Sequence, residues 1–331
     1  MMRCAVTLLG VTLAFAACGS AAAERVEDWL QRMDQAVASM SYRGTLVIVR
    51  GDQVDTLRIL HRVNDGHVQE RIYTLDGPRR ELLRNRDRVR CLFSDSESLI
   101  VDNPFPTRLL PQVPLDAVVG EDSMYEVATA GTERVAMRET RVIDIRPRDQ
   151  FRYGRRLWLD ETTGMLLRSV LLDETGEPIE KLSFVEIELD GTISDEELEP
   201  GMDNPARVAR YKDAVQADRA RKTASYSPTW LPHTLPPGFQ LNSIGRTSES
   251  DGASTEHLLY SDGLASFSIY IEPAGDEPVP EQVESLGGVH VYTGRIRDQR
   301  VTVVGEVPPG TVRLIGQRLE RAASPLLRQY R

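Results

Sequence analysis

A chain of 331 residues with 40% hydrophobic and 27% charged side chains is globular in composition and long enough for about two domains. Its formal net charge of −10 argues against a nucleic-acid platform, which needs a basic face. Of its three cysteines only Cys91 lies beyond residue 23, so neither an internal disulfide nor a thiolate metal cluster holds the mature fold.

The first 23 residues read as an export signal. Arg3 precedes an apolar run from Ala5 to Ala17, and small residues follow at Ala21-Ala22-Ala23. The run is too short for a membrane span of about 20 residues and leads into polar sequence. Cleavage after Ala23 gives a soluble periplasmic protein beginning at Glu24. A second reading stays open, because Phe15-Ala16-Ala17-Cys18-Gly19 approximates a lipobox with Phe15 in place of leucine, and that would put a lipid anchor on Cys18.

Glu27 to Met40 is expected to be a helix: Trp29, Met33, Val37 and Met40 recur at spacings of three and four, with Leu30 and Ala36 beside them. Tyr42 to Arg62 reads as two strands joined at Gly51-Asp52, yet both side-chain parities are apolar. Leu46 and Ile48 oppose Val47 and Val49, and Leu57 and Ile59 oppose Val54 and Leu60. A half-solvated hairpin alternates apolar with polar residues, so both faces of this one are expected to be covered. Strand-like runs continue to about Leu189, broken at Asp65-Gly66, Asp76-Gly77, Thr163-Gly164 and Thr175-Gly176. No helical stretch long enough for a crossover interrupts them, so the sheet is expected to be antiparallel.

Cys91 sits in the short run Val89-Arg-Cys-Leu-Phe93, where a small buried core residue and a reactive thiol are both open readings. PFPTRLLPQVP, residues 104–114, holds four prolines and cannot be a regular strand. Its Phe105, Leu109, Leu110 and Val113 make it an apolar loop, packed on its own domain or presented to something else. The segment LWLDETTGMLLRSVLLDETGEPIEKLSF, Leu157–Phe184, is strand-turn-strand-turn-strand. Its middle strand repeats the double parity, with Leu166, Val170 and Leu172 against Met165, Leu167 and Leu171. A curved sheet with a helix on one side and an apolar ligand or lid on the other satisfies both stretches, and so does burial against a second domain.

The first unit closes near Pro200. Arg207 to Lys222 has helical composition, and SPTWLPHTLPP, residues 227–237, suits a semi-rigid linker. Strands are expected near Gln240–Ser248, His257–Ser261, Ser266–Glu272, Val289–Arg295 and Arg300–Glu306, and a helix over Gly310–Arg321. The expected division is a signal at 1–23, a first domain at 24–205, a linker at 206–234 and a C-terminal domain at 235–331.

Charge is distributed unevenly along this division. Glu24 to Asp203 carries 24 basic and 36 acidic residues, whereas Arg207 to Lys222 carries six basic and two acidic, and Val289 to Arg331 eight basic and three acidic. A basic tract on an acidic chain fits a local acidic partner or a phosphate-bearing ligand, or else a solvated face. Arg295, Arg297 and Arg300 are close in sequence there, and guanidinium forks engage carboxylates and phosphates bidentately.

Catalytic patterns are not found. His61, His67, His233, His257 and His290 show no metal-site spacing, and no nucleophile elbow, P-loop or dinucleotide fingerprint occurs. Asp160-Glu161 and Asp173-Glu174 precede Thr and Gly, which is turn chemistry. No enzyme activity, cofactor or metal is implied.

LWLDETTGMLLRSVLLDETGEPIEKLSF resembles the strand-turn-strand signature of LolA-like half-barrels. Trp29-Leu-Gln-Arg-Met33, Tyr42-Arg-Gly-Thr45, Asp55-Thr-Leu-Arg-Ile59, Leu75-Asp-Gly77, Trp230-Leu-Pro, Leu235-Pro-Pro-Gly-Phe239 and Gly305-Glu-Val-Pro308 together make the chain similar to the RseB/MucB family. That family consists of periplasmic negative regulators of the sigma-E envelope-stress response. The resemblance implies an α+β fold: a curved antiparallel half-barrel packed on helices, then a smaller α+β domain. It implies binding to the periplasmic part of an RseA/MucA-type anti-sigma factor, shielding it from regulated proteolysis, with release by a lipid or lipopolysaccharide-like ligand. A lipoprotein or lipid carrier is the alternative, and would not need the segment after Leu235. The residues expected to line a lipid cavity are Leu46, Val47, Ile48, Leu57, Ile59, Leu109, Leu110 and Leu166; those expected at the partner are Arg295, Arg297 and Arg300. Self-association is left open.

The signal reading has a direct check. The intact mass of the native protein should match a chain starting at Glu24 without lipid; a diacylglyceryl mass on Cys18 would contradict it.

Overall fold

An amphipathic helix, α1 (Val26–Ser39), opens the chain and buries Trp29, Leu30, Met33, Ala36 and Val37 along one stripe, the three-and-four spacing of its sequence made physical. The structure is a computed structural model that describes residues 25–85, 88–93, 98–101, 109–202, 208–211, 227–248, 254–275 and 278–322. After α1 come β1 (Tyr42–Arg50), β2 (Gln53–Asn64), β3 (His67–Thr74), β4 (Arg80–Asn85), β5 (Arg88–Phe93) and β6 (Ser98–Val101). A short helix α2 (Leu115–Val118) precedes β7 (Tyr125–Val135), β8 (Arg138–Pro147), β9 (Gly154–Asp160), β10 (Leu166–Leu172) and β11 (Pro178–Leu189), with α3 (Asp195–Leu198) and β12 (Val208–Tyr211) beyond.

These strands form one open sheet in the order β12-β6-β5-β4-β3-β2-β1-β11-β10-β9-β8-β7. Its neighbours are antiparallel except β12, which lies parallel to β6. The helix expected over Arg207–Lys222 is therefore replaced at Val208–Tyr211 by a strand; the rest of that stretch lies outside the described residues. Composition alone misleads there, because basic residues and alanine tolerate either state when backbone pairing is on offer.

The two faces of the first hairpin are covered differently. Tyr42, Leu46, Ile48 and Ile59 are 3% exposed or less and belong to one core with α1, Phe184, Leu182, Leu157 and Leu166. On the opposite parity Leu60 is also buried, and the chain after β11 is tied over that face. Arg43 pairs with Glu197 at 2.6 Å, Arg62 donates to Ile193 O at 2.9 Å, and Arg71 donates to Glu197 O at 2.8 Å. This cover stops short of the hairpin tip, where Val54 is 55% exposed. Buried polar side chains punctuate the core side: His61 Nδ1 lies 3.0 Å from Glu70 Oε2, and the imidazole stacks on Tyr42 at 4.7 Å between centroids.

α1 is fixed to the sheet at the β9–β10 turn. Arg32 donates to the carbonyls of Glu161 and Thr162 at 3.0 and 3.1 Å while its guanidinium covers Trp29. Gly164 sits there at φ +79°, and a Cβ would lie 2.8 Å from Arg32 Cβ, so the helix can approach only a glycine. Asp160 organises the turn, accepting from Thr163 N and Thr163 Oγ1 at 2.8 Å each and from Arg138 Nε at 2.6 Å.

The C-terminal part begins with β13 (Trp230–Pro232), then β14 (Gln240–Ser248), β15 (Ser254–Ser261), β16 (Ser266–Pro273), β17 (Gln282–Leu286), β18 (Val289–Ile296) and β19 (Gln299–Gly305). Helix α4 (Pro309–Gln317) and β20 (Leu319–Arg321) follow. Six of these strands form a second antiparallel sheet in the order β14-β15-β16-β19-β18-β17. Its core gathers Trp230, Phe239, Leu258, Phe267, Ile269, Val303 and, from α4, Val312 and Ile315. The expected helix over Gly310–Arg321 ends early, since Leu319–Arg321 pairs with Trp230–Pro232. A large open sheet on helices with a smaller sheet-and-helix domain is the fold class the sequence implied.

Asp160 supplies a test of this architecture. Burial raises its pKa, but hydrogen bonds from Arg138 and Thr163 outweigh burial and hold it below the usual value. A carboxylate with a depressed folded pKa contributes stability above its unfolded pKa, about 3.9, and loses it as pH falls through the folded value. Asp160→Asn should cost about 2 kcal/mol at pH 7 in urea unfolding and give a flatter decline of stability below about pH 4. An unchanged acid limb would contradict this assignment.

Candidate functional site at the domain junction

Loops at the end of the first sheet meet turns of the second, and charged side chains are buried between them. Arg152, in the loop between β8 and β9, has no exposed side-chain surface. Its guanidinium pairs with Asp149 at 3.0 Å and with Asp262 of the β15–β16 turn, and donates to the carbonyl of Pro237. It lies 4.8 Å from the Phe239 ring and 5.6 Å from the Tyr125 ring. Tyr125 Oη donates to Asp262 Oδ2 at 2.8 Å. Burial first and the Asp262 charge second push the Tyr125 hydroxyl far above its ordinary pKa, so it remains a donor.

Further bonds cross the junction. Thr311 Oγ1, fully buried, donates to Phe151 O at 3.0 Å. Tyr153 Oη lies 3.4 Å from His290 Nδ1, and Arg155 pairs with Glu306 at 2.6 Å. Beside the last pair lies a cleft of about 390 Å³ lined by Leu109, Leu110, Arg155, Leu171, Leu182 and Leu264. Its floor is the core side of β10 and β11, one wall is the proline-rich loop, and the other is the β15–β16 turn. Gln112, Ser169, Glu180 and Glu306 line it as well, so the walls mix leucines with at least as much polar surface, the polar groups being what fixes the orientation of a bound molecule.

The sequence-derived cavity residues do not all meet here. Leu109 and Leu110 line the cleft. Leu46, Ile48, Ile59 and Leu166 are filled-in core and Leu57 packs against it, while Val47 is half-buried on the opposite parity. The double parity that singled them out reports ordinary core on one side and a partial cover on the other. Phe105 of the same loop lies outside the described residues.

Arg295, Arg297 and Arg300 are brought together, because Arg295 and Arg300 face each other in the β18–β19 register and Arg297 forms the turn at φ +56°. Arg297 and Arg321 approach the Trp230 ring, at 5.9 and 5.5 Å, and Arg300 lies 3.6 Å from Glu272. This tip is at the end of β19 opposite Glu306, roughly 20 Å from the cleft at the rise of a β-strand. Cys91 is half-buried and burial raises its pKa, which disfavours the reactive thiolate. Among the described residues no group of three or more His, Cys, Asp or Glu side chains could hold a metal, and no helix is long and apolar enough to cross a membrane.

Sequence reasoning missed Arg152 and Asp262. Neither stands out among 37 arginines or in a turn that reads as Asp-Gly. Removing one partner of a buried, hydrogen-bonded ion pair strands the other charge. Arg152→Met should therefore cost about 3–5 kcal/mol in chemical denaturation, and calorimetry should resolve separate transitions for the two domains. A loss below about 1 kcal/mol, the range of exposed pairs, would show that the junction does not depend on it.

Family models match both parts of the chain: the MucB/RseB N-terminal domain over residues 25–202 and the MucB/RseB C-terminal domain over residues 224–320. The chain is 34% identical over 324 residues to the sigma factor AlgU regulatory protein MucB of Pseudomonas aeruginosa, covering 96% of each. It is 27% identical over 299 residues to the sigma-E factor regulatory protein RseB of Escherichia coli, covering 89% of this chain and 90% of that one. A crystal structure of MucB in complex with MucA(peri) matches with a TM-score of 0.71 at 32% identity, over 91% of this chain and 100% of that one. A crystal structure of MucB matches with a TM-score of 0.62 at 31% identity, over 90% of this chain and 98% of that one. The chain belongs to the MucB/RseB family.

Proposed function

We propose that this protein is a periplasmic regulator that binds the periplasmic segment of an RseA/MucA-type anti-sigma factor and shields it from regulated proteolysis. The observation that carries this reading is the likeness, along nearly the whole chain, to a MucB crystallised with MucA(peri). The export pattern before Glu24 supports a periplasmic location. With the signal at 1–23, residues 24–205 are one working unit; the second starts earlier than the expected Leu235, because Trp230, placed in the expected 206–234 linker, belongs to the C-terminal core and Trp230–Pro232 pairs with Leu319–Arg321.

Two surfaces serve this function. The cleft beside Leu109 and Leu110 accepts an apolar side chain or the acyl chain of a lipid-like ligand, and the latter relieves inhibition. The arginine tip at Arg295, Arg297 and Arg300 engages acidic groups, because guanidinium forks pair with carboxylates in two-point geometry. A lipid displaces the partner only if it binds the partner-free state more tightly, so the two must oppose each other by the same factor.

Capture of an RseA/MucA-type periplasmic segment by the full mature chain tests the reading. Leu109→Asp and the combined Arg295→Glu, Arg297→Glu, Arg300→Glu variant should each weaken capture about tenfold or more, the loss expected at a contact worth 1.4 kcal/mol or above. Both should speed protease cleavage of the segment. Undiminished capture by both variants would exclude these surfaces, and no capture by the unaltered chain would exclude the function.

A further inference from the structure

β17 ends the second sheet. Among the described residues it has a neighbouring strand on one side only, β18, so one row of its backbone N–H and C=O groups meets no strand. Sheet edges of this kind are ordinarily blunted by a bulge, a proline or several charges. β7, which ends the first sheet, carries a bulge between Thr129 and Thr132, and β14 carries one between Leu241 and Ser243. β17 has none. Its register with β18 runs unbroken from Gln282 opposite Thr293 to Leu286 opposite Val289, and Glu284 is its one charge.

The strand also runs between the two surfaces described above. At one end the turn Leu286-Gly287-Gly288-Val289 rests on the first domain. Gly288 leaves no room for a Cβ against Leu171, which lines the cleft, and Gly287, at φ +58°, passes close over Arg50. At the other end Gln282 is level with Thr293, two residues short of Arg295. Leu286 is 70% exposed and Val289 beside it 36%, an apolar pair at the margin of a polar strand. Gln282, Glu284 and Leu286 alternate onto one face. Val283 and Ser285 take the other, where Val283 packs against the C-terminal core.

We infer that the outer edge of β17 holds the anti-sigma segment as a strand added to the second sheet, between the cleft and the arginine tip. This rests on the reading of that segment as the partner. A regular, unbulged edge takes an extended chain, because donors and acceptors alternating along it are met by another strand. Main-chain bonds then supply the affinity and alternate side chains the selection. Five residues of edge span roughly 17 Å, which carries a paired strand from the cleft wall toward the tip. The segment that fits has an apolar side chain beside Leu286 and a basic one beside Glu284, since apolar and opposite-charge pairs stabilise neighbouring strands. Acidic residues beyond that stretch come level with Arg295.

Amide exchange of the full mature chain with an RseA/MucA-type periplasmic segment tests this. Peptides covering 282–286 should exchange about tenfold slower with the segment bound, as edge amides gain partners. Synthetic copies of the segment N-methylated at alternate residues should divide by parity, one set losing capture and the other keeping it. Only alternate N–H groups of an added strand face the edge. Leu286→Lys, at an exposed site, should weaken capture about tenfold with the urea midpoint unchanged. Capture with unchanged exchange at 282–286, or equal behaviour of both N-methylated sets, would overturn the inference. Protection at 282–286 that follows the chain's own concentration, without the segment, would overturn it in favour of pairing with a second copy. No capture by the unaltered chain removes the functional reading, and an alternating valine–lysine peptide then decides the edge. Slowed exchange at 282–286 with that peptide keeps β17 as a strand-pairing site; no slowing refutes both.

Discussion

A guanidinium with no exposed surface, Arg152, sits between two carboxylates from opposite sides of the domain junction. Desolvating three charges is expensive, and a buried ion pair usually adds little net stability over an apolar replacement. What it does impose is geometry. The charges must meet, so the second sheet is held at an orientation in which Asp262 and Pro237 O reach Arg152. The neighbouring bonds from Thr311 and Arg155 fall into register only in that orientation. A purely apolar interface of the same area would tolerate sliding; this one does not.

That constraint shapes both surfaces offered to ligands. α1 fills the core side of the first sheet, and the 390 Å³ cleft lies beside its β10 and β11 strands. The junction gives this cleft its second wall, so the site is incomplete without the C-terminal turn. The arginine tip stands at the far end of the second sheet. A segment that touches both must therefore be extended along the domain, at a rise of about 3.3 Å per residue if it is a strand. Arg300 is partly neutralised by Glu272, so Arg295 and Arg297 carry most of the available charge there.

Much of the fold was legible in the sequence because short-range rules decide it. The α1 stripe, the Asp-Gly and Thr-Gly turns and the antiparallel hairpins follow from periodicity and turn chemistry, and the structure has them at nearly the expected positions. β17 was not foreseen: Val283 and Leu286 are its only large apolar residues, and it is a strand because β18 offers it hydrogen bonds. The double parity of β1 and β2 was real, but local sequence could not say which cover lay on which face. Leu60 is covered through Arg43, Arg62 and Arg71 bonds to a segment more than a hundred residues away. Arg152 and Asp262 were invisible for the same reason. They lie 110 positions apart, and only the tertiary meeting of two loops gives them a role. Leu109 and Leu110 were found because four prolines around apolar residues break every regular pattern, and such a break is visible without a structure.

The central claim is that the domain junction, with its cleft, and the arginine tip form the surface on which an anti-sigma segment is held. Amide exchange of the full mature chain with and without an RseA/MucA-type periplasmic segment addresses it in one measurement. The account predicts slowed exchange in peptides covering 109–112, 261–266 and 293–300, with the outer strands of the first sheet unchanged. Protection confined to the β7 edge or to the face under α3, with none at the junction or the tip, would contradict it.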